Sequence, residues 1–231
     1  MIFRSLASSS KGNAYIVTDG EATILLECGL PYKKLEKLSG HTLTSLSACC
    51  ITHEHKDHSQ AADQLIRHGV PVYMSYKTAV ALDLPDAEII TPGEPVRIGA
   101  LLVMAFPVVH DAAEPIGYLI DDTRTRERLF FAADTRGLNY VVEHPTYIAV
   151  ECNYEESLLE SSTKMPDSLK NRIRHSHFEL SDVIRWLHKQ DLSGVLTIYL
   201  LHLSAGHSRS AAWETRFRRE FPGINIVICK E

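Results

Sequence analysis

The chain has 231 residues, 45% hydrophobic and 23% charged, with 24 Lys plus Arg against 29 Asp plus Glu and a formal net charge of −5. Ordinary apolar content without a long polar tract excludes a disordered chain, and runs such as Val195 to Leu201 or Leu101 to Val109 fall short of the ~18 residues a membrane-spanning helix needs. The acidic balance argues against a surface wrapped in nucleic acid along its whole extent, while leaving room for a local basic groove.

From the N-terminus, Met1 to Asn13 contains no stretch that fits a signal peptide. Ile2 to Ala7 reads as a strand, followed by a Ser/Gly/Asn loop. Strands Ala14 to Thr18 and Ala22 to Glu27 flank Asp19-Gly20, a hairpin signal. A short helix, Tyr32 to Leu38, starts after Pro31, which suits a first-turn position. Ala48 to Thr52 is a buried strand by length and β-branching, and a helix is expected from Ser59 to His68, ending at Gly69.

Val70 to Met74, Glu88 to Thr91, Val96 to Ile98 and Leu101 to Pro107 read as further strands. Gly117 to Ile120, Arg128 to Ala133 and Tyr147 to Glu151 follow. The stretch Glu155 to Lys189 reads as mostly helical, with Ser181 an expected helix cap. A strand at Val195 to Leu201, a helix at Ser208 to Glu220 and a strand at Ile224 to Cys229 complete the chain. Strands interspersed with helices imply a layered α/β domain, read as one domain over 1–231. The five cysteines are odd in number and lack CxxC spacing, so reduced core thiols in a cytoplasmic protein are expected.

Histidine is the unusual residue, with 12 in the chain. The run His53-Glu54-His55-Lys56-Asp57-His58 sits directly after a buried strand. Three imidazoles and a carboxylate supply borderline nitrogen and hard oxygen donors, the set that Zn²⁺ and similar ions prefer. His110, Asp134 and His202 each follow an apolar strand, where an ionisable group either reaches solvent or is paired. Taken singly, such a residue is usually just exposed or satisfied. His207, five residues beyond His202, is an alternative to it. His41, His68, His144 and His188 look peripheral.

The HxHxDH run with His110, Asp134 and His202, in this order and at strand ends, resembles the metallo-β-lactamase superfamily. Longer segments, Leu6 to Ala14, His110 to Tyr118, Glu151 to Tyr154, Ser168 to Ile173 and Leu201 to Ser204, resemble its YycJ/WalJ-type subfamily. That subfamily is linked to exonuclease action on DNA, and is similar to ribonuclease Z and to the phage anti-Pycsar hydrolases of cyclic mononucleotides. The resemblance implies an α/β fold, an αββα metallo-β-lactamase sandwich of two mixed β-sheets flanked by helices. It also implies two divalent metal ions, Zn or Mn with Fe as a further option. His53, His55 and His110 would hold one ion, Asp57, His58 and His202 the other, with Asp134 bridging them. Glu27 stands where the family usually has Asp, and Arg136 precedes Gly137 beyond Asp134.

The reaction implied is hydrolysis of phosphodiester bonds in nucleic acid or nucleotides by hydroxide held between the ions. Asp57 is a candidate proton acceptor. His177, or His175, is a candidate for contacting the phosphate or protonating the leaving group, and Arg136 for binding substrate. Against this stands the plain reading of His175 and His177 as exposed residues before a helix. Lys164, Lys170, Arg172 and Arg174 form a basic stretch opposed by Asp167; one solvated helix face accounts for it slightly better than a phosphate cradle. The substrate alternatives are a polymer or a cyclic mononucleotide. A thioester or lactam hydrolase and a non-catalytic metal-binding module rank lower. No membrane partner is expected, and a homodimer is compatible with the superfamily.

Overall fold

A computed structural model describes residues 1–163 and 165–230, which pack as two compact units. The first unit comprises residues 1–107 and 112–127. Its six-stranded sheet has the order β1(Ile2–Ala7), β2(Ala14–Thr18), β3(Thr23–Leu26), β4(Ala48–Cys50), β5(Val72–Met74), β6(Glu88–Ile89). The first three strands are antiparallel and the rest parallel. The β2–β3 turn forms at Asp19-Gly20 as expected, with the Asp19 carboxylate accepting from the Glu21 and Ala22 amides at 2.8 and 2.7 Å. An antiparallel meander, β7(Pro95–Ile98), β8(Leu101–Pro107) and β9(Ile116–Asp122), follows. Ile24, Leu25 and Leu26 of β3 and Cys49 and Cys50 of β4 are fully buried, so both strands read as continuous apolar runs.

The helices of this unit are α1(Tyr32–Leu38), α2(Lys56–Ser59), α3(Ala62–Arg67) and α4(Tyr76–Leu82). The helix expected over 59–68 is α3, and Ser59 instead ends the separate α2 that precedes it. The ladder breaks between them because the Asp57 carbonyl accepts the Asn13 amide at 2.8 Å, while the Ala61 amide donates to the Cys28 carbonyl at 3.0 Å. α4, absent from the expected elements, ends at Asp83 in the left-handed region (φ 55°).

The second unit, residues 108–111 and 128–230, carries four parallel strands in the order β10(Arg128–Ala132), β11(Tyr147–Glu151), β12(Thr197–Leu201), β13(Asn225–Ile228). Parallel pairing aligns the C-terminal ends of β10, β11 and β12, where Asp134, Glu151 and His202 stand. The helices are α5(Glu156–Glu160), α6(Asp167–Ser176), α7(Leu180–Leu187) and α8(Ser210–Glu220). α7 buries Leu180, Val183, Ile184, Trp186 and Leu187, and the rings of Phe130 and Trp186 lie 5.3 Å apart. Its N-cap is Glu179, whose carboxylate accepts the Ser181 and Asp182 amides. The cap expected at Ser181 therefore lies two residues earlier, because the longer carboxylate reaches both amides. No helix among the described residues is long and apolar enough to cross a membrane.

Candidate functional site

In the first unit the His-rich run begins where β4 ends. Thr52 donates its hydroxyl to Glu27 Oε1 at 2.6 Å and its amide to Oε2 at 3.2 Å. Its oxygen then accepts from His53 Nδ1 at 2.9 Å, which leaves the His53 Nε2 lone pair to face His55 Nδ1, 3.0 Å away. Two nitrogens sharing one tetrahedral ion at ~2.0–2.1 Å would sit about 3.3 Å apart, so this spacing suits a shared cation. His58 is buried, with Nδ1 3.2 Å from Glu27 Oε1. Its Nε2 lies 3.2 Å from Asn13 Nδ2 and 3.5 Å from Asp57 Oδ2. With Nδ1 facing a carboxylate, the proton belongs on that atom and the Nε2 lone pair is the one that can hold a metal. Glu27 is fully buried in the left-handed region (φ 62°), a conformation costing ~1–3 kcal/mol that persists where its surroundings demand it. Its extra methylene does not prevent it from reaching both Thr52 and His58.

The Ser/Gly/Asn loop supports this turn. Asn13 donates its amide and Nδ2 to the Asp57 carbonyl at 2.8 and 3.2 Å and accepts the Tyr15 hydroxyl at 3.1 Å. Cys28 donates to the His58 carbonyl at 2.8 Å. The backbone passes so close here that a Cβ on Gly29 would lie 1.6 Å from the Asp57 oxygen. Only glycine fits.

In the second unit, Asp134, Glu151, His177 and His202 offer donor atoms all within 4.8 Å of one another. His202 Nδ1 stands 2.8 Å from Asp134 Oδ1 and 3.1 Å from Glu151 Oε1. His177 Nδ1 stands 2.7 Å from Glu151 Oε1 and 3.8 Å from Asp134 Oδ2. The second oxygen of Glu151 accepts the Thr135 and Phe178 amides at 2.8 and 3.2 Å. His110 donates Nδ1–H to the Ser176 carbonyl at 2.8 Å and points Nε2 toward Asp134 Oδ2 at 3.6 Å and Asp111 Oδ1 at 3.3 Å. Burial pushes the His110 pKa below its ordinary value, although Asp134 opposes this; a neutral ring suits a metal ligand. Burial acts the same way on His177, but the charge and hydrogen bond of Glu151, with Asp134, outweigh it and raise its pKa. His202, at φ 52°, is a second buried residue in the left-handed region. Asn153 Nδ2 fixes its carbonyl at 2.9 Å.

The residues expected from sequence thus form a set of His53, His55, Asp57 and His58 in one unit and of His110, Asp134, His177 and His202 in the other. In both sets imidazole nitrogen and carboxylate oxygen are the donors a divalent ion takes, and the bonds of His53 Nδ1 to Thr52 and of His110 Nδ1 to Ser176 leave their Nε2 atoms to bind it. His175 is exposed on α6, its Nδ1 bonded to the Asn171 carbonyl at 2.7 Å, outside the donor set. His207 bonds Ser204 Oγ at 3.2 Å and is likewise outside it among the described residues. Arg136 is exposed, two residues beyond Asp134. Glu151 went unassigned in the sequence reading, although its segment was singled out; a carboxylate ending an apolar strand was its one signal. The cations of the basic stretch are engaged: Lys170 Nζ donates to the Glu160 carbonyl, while Arg172 pairs with Asp111 and Arg174 with Glu156 and Glu160. Lys164 lies outside the described residues.

Comparison with known proteins places these residues in context. The β-lactamase superfamily domain model matches residues 23–202. Exodeoxyribonuclease YycJ of Bacillus anthracis is 30% identical over 225 residues, 87% of this chain and 82% of that protein. Exodeoxyribonuclease WalJ of Streptococcus pneumoniae serotype 2 is 29% identical over 224 residues, 86% of this chain and 80% of that protein. The crystal structure of the metallo-β-lactamase fold protein YhfI from Bacillus subtilis matches with a TM-score of 0.72 at 17% identity, covering 99% of this chain and 96% of that one. That last likeness is one of fold, and the fold is the α/β class of β-sheets flanked by helices that the motifs implied.

Proposed function

This chain belongs to the β-lactamase superfamily, and from that premise we propose that it is a dinuclear-metal-dependent phosphodiesterase acting on nucleic acid as an exonuclease. In this reading His53, His55, Asp57, His58, His110, Asp134 and His202 are the ligands. Zn or Mn, when bound, supplies an acidified water and neutralises charge on the phosphate.

The chain's own residues do the rest. Glu151 accepts Nδ1–H of His177 at 2.7 Å, which fixes the ring and directs Nε2 to give its proton to the leaving oxygen. The Thr135 and Phe178 amides hold the other carboxylate oxygen, so the pair is rigid before substrate arrives. Asp57, at the turn held by Asn13, is the acceptor for the water proton. The observation that carries this reading is the Glu151–His177 pair beside Asp134 and His202. An oriented imidazole next to metal donors is what a poor alkoxide leaving group requires, and the curated relatives at 30 and 29% identity are named exodeoxyribonucleases.

A cyclic-mononucleotide phosphodiesterase is the second reading, favoured by the net charge of −5. The test is a panel of bis-p-nitrophenyl phosphate, cyclic mononucleotides, single- and double-stranded DNA and a tRNA precursor, each with Mn²⁺ and Zn²⁺. Expected are hydrolysis of the small diester and progressive shortening of end-labelled DNA. Turnover of cyclic mononucleotides alone would select the second reading, and inactivity throughout would overturn both.

A further inference from the structure

The second unit contains a cleft of about 340 Å³ lined by Val109, Arg136, Leu138, Phe178, Trp186 and Lys189 among others. Three of its lining residues adjoin the donor set in the chain: Val109 precedes His110, Phe178 follows His177, and Arg136 lies two beyond Asp134. The junction is held by hydrogen bonds, the Arg136 amide donating to the Val109 carbonyl at 2.7 Å and the Val109 amide to Thr135 Oγ1 at 3.3 Å. The cleft therefore opens directly beside the phosphate-handling residues of this unit.

Its chemistry differs between wall and rim. Phe178 and Trp186 are buried, while Val109 stays 56% exposed, an unusual state for valine in a recess. On the rim stand Asp182 and Arg185 of α7, one helical turn apart, and Lys189, in the turn just beyond its end. Arg185 pairs with Asp182. Arg136 and Lys189, both exposed, are in no ion pair among the described residues. This contrasts with α6, whose described cations are all engaged. The chain's net charge is negative, yet the cleft presents two uncompensated cations around an apolar wall, the combination that binds a nucleotide with its phosphate.

We propose that this cleft seats the nucleotide next to the scissile bond of a single-stranded nucleic acid end, with its backbone phosphate between Arg136 and Lys189 and its sugar and base against Val109 and Leu138. The proposal rests on the phosphodiesterase reading and narrows it, since the preferred substrate must carry a second phosphate. At about 340 Å³, near the lower end of the roughly 300–1,000 Å³ of ligand clefts, the recess has room for one nucleotide. A cyclic mononucleotide would leave it empty.

Binding and turnover test this separately. Fluorescein-labelled oligothymidylate is titrated by fluorescence anisotropy at several salt concentrations, with wild type, R136Q/K189Q and the charge-conserving R136K/K189R. Each phosphate contact on a single strand contributes about −0.7 to the slope of log affinity against log salt, so R136Q/K189Q should flatten the slope by about 1.4 and R136K/K189R should restore it. In parallel, kcat/KM for the oligonucleotide should fall at least tenfold more than for bis-p-nitrophenyl phosphate, mainly through KM. An unchanged slope, or equal losses on both substrates, overturns the cleft assignment while leaving the phosphodiesterase reading intact. Wild type inactive on both substrates overturns the two together.

Discussion

Replacing Gly29 by alanine isolates the close approach that positions Asp57 and His58. Gly29 is not in the left-handed region, so the substitution carries no backbone strain of its own. The added Cβ would lie 1.6 Å from the Asp57 oxygen, 2.0 Å from its carbonyl carbon and 2.7 Å from the His58 nitrogen, where contacts under 3.0 Å essentially never occur. The Asp57 carbonyl must therefore retreat by at least 1.4 Å, the difference between the first and last of these distances. That movement breaks the two Asn13 bonds to Asp57 and the Cys28 bond to His58. Three buried hydrogen bonds at about 1 kcal/mol each give about 3 kcal/mol, within the range for overpacked interiors. For a chain of this size that lowers Tm by roughly 6–12 °C. A ligand displaced by more than an ångström is also far outside the ~0.2 Å tolerance of a metal site, so the purified variant should hold less metal. Gly206→Ala, in open space and outside the left-handed region, is the control for chain-wide effects. Circular dichroism melts and elemental analysis give the answer. A Gly29→Ala protein that melts within 2 °C of wild type with full metal content would refute the reasoning.

Glu151→Gln puts an amide where Thr135 and Phe178 donate and removes the charge that orients His177; DNA hydrolysis should fall about 10²–10⁴-fold, the range of general-acid contributions. Bis-p-nitrophenyl phosphate should suffer less, because nitrophenolate departs without a proton, and equal losses would exclude the leaving-group role. Glu27→Ala strips the acceptor from Thr52 and His58, and metal affinity measured by calorimetry should drop about 10–100-fold, with Glu27→Asp between it and wild type. All five cysteines are free and buried, and burial pushes the Cys49, Cys50 and Cys152 thiols well up. Ellman's reagent should therefore find essentially none in the native protein and all five in guanidinium; rapid native labelling would contradict the packing.

Local signals proved readable where one short segment carries the physics. Asp19-Gly20 makes its turn with its own side chain, and the run from His53 to His58 contains its donors within six residues. Signals failed where a distant segment decides. The helix break at Ala61 comes from Asn13 capturing the Asp57 carbonyl, 44 positions away. Glu151 acquires its role from His177 and His202, 26 and 51 positions on, and nothing adjacent to it announces them. The basic run at Lys170 to Arg174 reads in one dimension as a solvated helix face slightly better than as a phosphate cradle, and the counter-charges of Arg172 and Arg174 come from Asp111, Glu156 and Glu160. Arg136 and Lys189, in no ion pair among the described residues, are separated by about half of the second unit.

The Asn13 clamp ties the behaviour of the outermost hairpin to the chemistry. β1 and β2 frame the loop whose single amide side chain grips both the Asp57 carbonyl and the His58 ring. Transient peeling of that hairpin would release the turn without melting the rest of the sheet. Hydrogen exchange in the first 18 residues would then track how long the enzyme stays competent, making a strand pair remote in sequence from every ligand the pacemaker of inactivation.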